Sequence, residues 1–142
     1  MKKIICLVAV VLMIASVVYA QKKMAITAKD LPGMQGLWTG NVTFGIQEGA
    51  GSSATLEIFS DKAPVKAKLT INQFPDELAR SLGLSPGKNV FESDDGTLTT
   101  QGTILFTGPT KSFFEIIRVG DKKLKCDYWF KGLRGDGIFK KK

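Results

Sequence analysis

Val65-Lys66-Ala67-Lys68-Leu69-Thr70-Ile71-Asn72 alternates apolar and polar residues without a break. A period of two puts Val65, Ala67, Leu69 and Ile71 on one face of an extended strand and the lysines on the other. This predicts a half-buried β-strand whose charged outer face also guards the sheet against mispairing. Upstream, Trp38, Gly40, Val42, Phe44 and Ile46 alternate with Thr39, Asn41, Thr43 and Gly45, giving a first strand. Gly49 to Ser53 reads as a turn, and Ala54, Leu56 and Ile58 form the apolar face of a second strand. Asp61-Lys62-Ala63-Pro64 then turns the chain into the stretch quoted above.

Downstream the period breaks once. Phe74 to Gly83 opens with Pro75, Asp76 and Glu77 and closes with glycine, which marks a short helix over Pro75–Leu82. Leu78 and Leu82, four apart, would pack it on the sheet as a plug or lid. Asn89 to Glu92 and Thr97 to Gln101 flank Asp94-Asp95-Gly96, an Asp-Gly hairpin signal, and the later strand continues through Phe106 to Gly108-Pro109. Phe113 to Val119, Leu124 to Phe130 and Leu133 to Lys140 supply three more strands. About eight sequential strands with short links predict an all-β fold, an antiparallel up-and-down barrel with one helix between its third and fourth strands. A two-sheet β-sandwich is the alternative.

The first twenty residues read differently. Lys2 and Lys3 precede an apolar run from Ile4 to Val18, and Val18-Tyr19-Ala20 presents small residues for cleavage. Residues 1–20 are therefore expected to be a signal peptide, which places the mature chain in the periplasm or outside the cell. The run is about 15 residues, short of the roughly 20 that cross a bilayer, and no transmembrane segment is expected after cleavage. Residues 21–35 read as a polar N-terminal arm and 36–142 as the single barrel domain. Loss of Lys2 and Lys3 lowers the formal net charge from +7 to +5. The surplus suits an anionic envelope partner or a solvated face. Nucleic acid is not expected, since no binding motif is present.

Gly36-Leu37-Trp38 at the start of the first strand resembles the Gly-x-Trp signature of lipocalin-like proteins, within the calycin group. The resemblance implies an eight-stranded barrel whose tryptophan packs across the closed end, with a basic residue of the last strand over its ring. Arg134 is the matching position for that cation and Arg118 the second choice, so Trp38 and Arg134 are expected to close the barrel structurally. The chain departs from the family plan in the position of its helix and in having no disulfide pair.

Little in the sequence points to catalysis. Histidine is absent, which excludes Ser-His and Cys-His nucleophiles. Cys126, the one cysteine left after cleavage, shares its parity with Leu124, Tyr128 and Phe130 and is expected to be buried and inert. Glu92, Asp94 and Asp95 lack the spacing of a calcium loop and read as a hairpin tip. Glu115 and Asp136 would form a carboxylate pair only if the fold brought them together. No catalytic residue, metal site or cofactor is assigned.

Phe44, Leu69, Phe106, Tyr128 and Phe130 are the candidates to line an apolar pocket inside the barrel, with Gly40 and Ala67 leaving room. The leading expectation is an exported, non-enzymatic protein that holds a small apolar or amphipathic molecule. The alternative is an envelope interaction or structural module, acting on a protein or an anionic polymer through its outer surface. Trp129, outward among lysines, is the hint for the second. A filled barrel with an exposed patch around Trp129 would favour it.

Overall fold

The computed structural model of the chain describes residues 22–45, 51–107 and 113–142. The expected signal peptide, Ile46, the first part of the glycine-rich turn and Gly108-Pro109 lie outside the described residues. Eight strands follow one another: β1 (Gly36–Phe44), β2 (Gly51–Ile58), β3 (Val65–Phe74), β4 (Gly87–Leu98), β5 (Ile104–Thr107), β6 (Phe113–Gly120), β7 (Lys123–Phe130) and β8 (Leu133–Lys141). Each pairs antiparallel with the next, and β8 returns to β1, so the sheet is a closed up-and-down barrel and not a sandwich. Closure satisfies the backbone groups that an open sheet would leave at its edges.

The Val65–Asn72 stretch follows its alternation except at Thr70, which is buried. Val65, Ala67, Leu69 and Ile71 are all buried on the inner face of β3. One seven-residue helix, α2 (Asp76–Leu82), lies between β3 and β4. Its first turn carries Asp76 and Glu77, which oppose the positive end of the helix dipole. Ala79 is its fully buried contact, and Leu78 and Leu82 pack half-buried against the core. Among the described residues no helix is long and apolar enough to cross a membrane.

Three boundaries differ from the sequence expectation. Asp94-Asp95-Gly96 does not turn the chain: β4 runs straight through it, and the β4–β5 reversal falls at Thr99–Thr103. Register shows why. Ala67 faces Ser93 while Val65 faces Gly96, so β4 carries an extra residue here and forms a bulge. Glycine is needed for close approach, since a Cβ at Gly96 would lie 2.5 Å from the Phe106 ring. The second strand likewise begins at Gly51, taking in residues read as a turn.

The third difference is the arm. Ala28–Asp30 forms a 3-10 turn, and α1 (Leu31–Met34) follows it directly into β1. Ile26, Leu31 and Met34 are buried in the same core as the strands. They stop the end of the barrel at which β1 begins, hereafter the closed end. The opposite end, beside α2, is the mouth. The arm escaped sequence reading because three apolar residues scattered through a short irregular segment make no period.

Candidate functional site

At the closed end Trp38 is almost wholly buried, and its indole nitrogen donates to the Met34 carbonyl at 2.9 Å. A cation of the last strand does cover the ring, but it is Lys141, with Nζ 5.7 Å from the ring centroid. Arg134 cannot take that place. Trp38 is the register partner of Lys141, whereas Arg134 sits near the mouth and faces outward. Arg118, the second choice, pairs with Asp30 at 3.2 Å and Asp121 at 3.7 Å. It shares a cleft of about 320 Å³ with Trp38 and Lys141. Thr27 and Arg118 together hold the Asp30 carboxyl below its ordinary range.

Four of the five pocket candidates, Phe44, Leu69, Phe106 and Tyr128, are buried in the core, and Phe130 is half-buried. They pack against the chain's own side chains. Phe44 meets Phe74 edge-on at 4.9 Å between centroids, and Phe106 stacks on Phe114 at 4.3 Å. Phe130 meets Phe91 of β4 at 5.5 Å, near the mouth. The Tyr128 hydroxyl donates to the Thr43 carbonyl at 2.6 Å, and burial pushes its phenol pKa up.

The small inward positions are used for closeness. A Cβ at Gly40 would collide with the Ile138 carbonyl, and one at Gly135 with the Tyr128 hydroxyl and the Thr43 carbonyl. Ala67 is wholly buried in the packed core. At Gly40 and Gly135 the missing side chain lets a neighbouring strand and the Tyr128 ring approach.

The titratable groups are scattered. Cys126 is fully buried, and burial, followed by the charges of Asp127 and Asp136, pushes its thiol pKa far up. An unionised buried thiol is a poor nucleophile. Glu115 and Asp136 do not converge: Glu115 faces Asp127, and Asp127 faces Asp136, so β7 lies between them. Two strand spacings amount to about 10 Å. Glu115 accepts from Thr103 at 2.5 Å, and Asp136 accepts from Thr43 at 2.7 Å.

In the β4 bulge, Asp95 is bound by Ser93 and by the Thr107 hydroxyl and backbone N–H, and these hydrogen bonds lower its pKa. Glu92 pairs with Lys66 at 3.1 Å. No group of three or more His, Cys, Asp or Glu side chains among the described residues is placed to hold a metal ion.

The outer wall carries the feature that strand parity hinted at in Trp129. Register sets Phe113, Trp129 and Arg134 side by side across β6, β7 and β8. Phe113 stacks on Trp129 at 5.7 Å, and the Arg134 guanidinium lies 5.8 Å from the indole centroid. Phe113 and Trp129 are each 38% exposed, so this ladder offers aromatic faces to solvent.

Beside it runs a shallow polar groove over β7, β8 and β1. One cleft of about 500 Å³ is lined by Lys125, Asp127, Arg134, Asp136 and Thr43. A second, of about 690 Å³, shares Thr43 and Asp136 and continues to Asn41 and Lys140. Lys125 bridges Asp127 at 3.3 Å and Asp136 at 3.7 Å. Outward parity made Lys125, Asp127 and Trp129 visible in the sequence. The neighbours that turn them into a surface depend on β6–β7–β8–β1 register, which no local pattern encodes.

The class of protein defined by this geometry is a closed, eight-stranded, up-and-down antiparallel β-barrel, stopped at one end by an N-terminal helical segment. That architecture is compatible with the lipocalin-like resemblance of Gly36-Leu37-Trp38. No known protein family, curated protein or solved structure matches the chain.

Proposed function

We propose that the chain is an exported, non-enzymatic interaction module that binds a protein partner through the outer wall of its barrel. The Phe113–Trp129–Arg134 ladder is the centre of that surface and the polar groove is its rim. One contrast carries the reading: inward Phe44 and Phe106 pack on Phe74 and Phe114, while Phe113 and Trp129 of the outer wall stand exposed side by side. Aromatic and arginine side chains dominate the energetics of protein interfaces, since they offer large rigid surfaces at low entropic cost. The separated carboxylates and buried thiol support a role without covalent chemistry.

A photo-crosslinking residue at position 129, in the chain expressed in its own host, tests the proposal. A discrete protein adduct is expected there and none from the same residue at Val90 on β4, which is also exposed. Equal labelling at both positions would sink it.

A second reading, a small apolar cargo, is favoured by the mouth. There Phe91, Leu78, Leu82 and Leu84 are only partly buried against the core. Native mass spectrometry before and after solvent extraction separates the two. The bare chain mass is expected, and a stoichiometric mass lost on extraction would move the function into the barrel.

A further inference from the structure

The surplus positive charge gathers at the closed end. Lys122 and Lys123 lie where β6 turns into β7, and Lys140 to Lys142 end β8 beside them. Lys123 and Lys140 are direct register partners, both on the outer face. Like charges placed opposite each other across a sheet are destabilising. None of the ion pairs formed among the described residues involves Lys122, Lys123, Lys140 or Lys142. The nearby carboxylate of Asp121 is directed to Arg118.

The same rim also exposes apolar side chains. Its order follows the strands. Met24 is bridged to Arg118 on β6; Lys122–Lys123 and Lys140–Lys142 come next; then Leu37 on β1 and Phe59 just past β2. Met24, Leu37 and Phe59 are 38%, 37% and 40% exposed. Lys66 and Lys68 of β3 hold their ammonium groups 5.6 Å from the Phe59 ring centroid. Exposed apolar groups thus flank Lys122, Lys123, Lys140 and Lys142 along this rim, while Lys66 and Lys68 are paired with Glu92 and Glu57.

We propose that this closed end seats the protein on an anionic lipid bilayer. The lysines would meet phosphate headgroups while Met24, Leu37 and Phe59 enter the boundary between headgroups and acyl chains. A soluble polyanion would reward the lysines but gain nothing from the exposed apolar residues, which is why a bilayer fits this rim better. The inference goes beyond the outer-wall reading and does not depend on it. Seated this way, the barrel turns its mouth away from the membrane.

The test is flotation of the mature chain with phosphatidylglycerol vesicles, compared with phosphatidylcholine vesicles and with dextran sulfate. Binding to the anionic vesicles is expected, weakened by added salt as screening requires. Replacing Lys122, Lys123, Lys140 and Lys142 by glutamine should lower the partition by at least ~100-fold. Phe59→Ser should lower it by about 10-fold while leaving dextran sulfate binding unchanged. Val90→Ser, far from the rim, should change neither. Thermal melts of each variant separate lost binding from lost folding. Absence of binding to anionic vesicles would overturn the proposal. So would vesicle binding that is indifferent to Phe59→Ser, which would mark a simple polyanion surface. Neither result bears on crosslinking at position 129.

Discussion

Gly135 faces inward from β8, where a side chain would be expected, and the space is taken by the Tyr128 hydroxyl reaching across to the Thr43 carbonyl. Gly135→Ala should therefore overpack the barrel and cost about 1–3 kcal/mol, read as a lower midpoint in urea. An unchanged midpoint would mean that the interior has slack at this point, and the cargo reading would gain. Trp38 shows the limits of reading single residues. Its motif made it visible and its burial follows, but the cation over it is set by the β1–β8 register, which pairs Trp38 with Lys141. Cys126 was legible for the opposite reason. Parity within one strand was enough to turn it inward, and burial keeps its thiol protonated.

Alternation over Val65–Leu69 of β3 and Lys123–Trp129 of β7 could be read from local pattern because buried and more exposed residues take turns there. In β3 it ends where Thr70 is buried and Asn72 and Gln73 are both exposed. β4 could not be read in this way. Asp94-Asp95-Gly96 carries the chemistry of a hairpin turn, yet the tertiary pairing with β3 and β5 holds it extended as a bulge. Asp95 fastens that bulge to Thr107 of β5. Its pKa is lowered from 3.8 by hydrogen bonds from Ser93 and Thr107. The folded state thus binds the Asp95 proton less readily than the unfolded chain. The stability this gives is complete above the unfolded value and is lost as the pH falls through the lower folded value. Asp95→Asn should cost about 1–3 kcal/mol at neutral pH. It should also flatten the acid limb below pH 3.8, measured by urea melts across that range. A variant with the wild-type acid limb would show that Asp95 does not couple β4 to β5.

At the scale of the whole molecule, the closed end joins the arm to the barrel. Leu31 has no exposed surface, so Leu31→Ala should cost about 2–5 kcal/mol, seen as a cooperative loss of stability in one thermal transition. A change within error would show that the arm is peripheral to the core. The molecule has two dissimilar surfaces, a basic apolar rim at the closed end and an aromatic ladder on the outer wall. Each was present in the sequence as scattered lysines, an outward tryptophan and a few exposed apolar residues. By itself the sequence determined the all-β class, a count of about eight strands, the helix between the third and fourth, and which face of β1, β2, β3 and β7 is apolar. These follow from local alternation and turn chemistry. Tertiary structure decided closure, the β4 bulge, burial of the arm, the cation over Trp38 and the gathering of Phe113, Trp129 and Arg134. All of these depend on register between strands, and register is fixed by packing across the whole barrel, where distant residues meet.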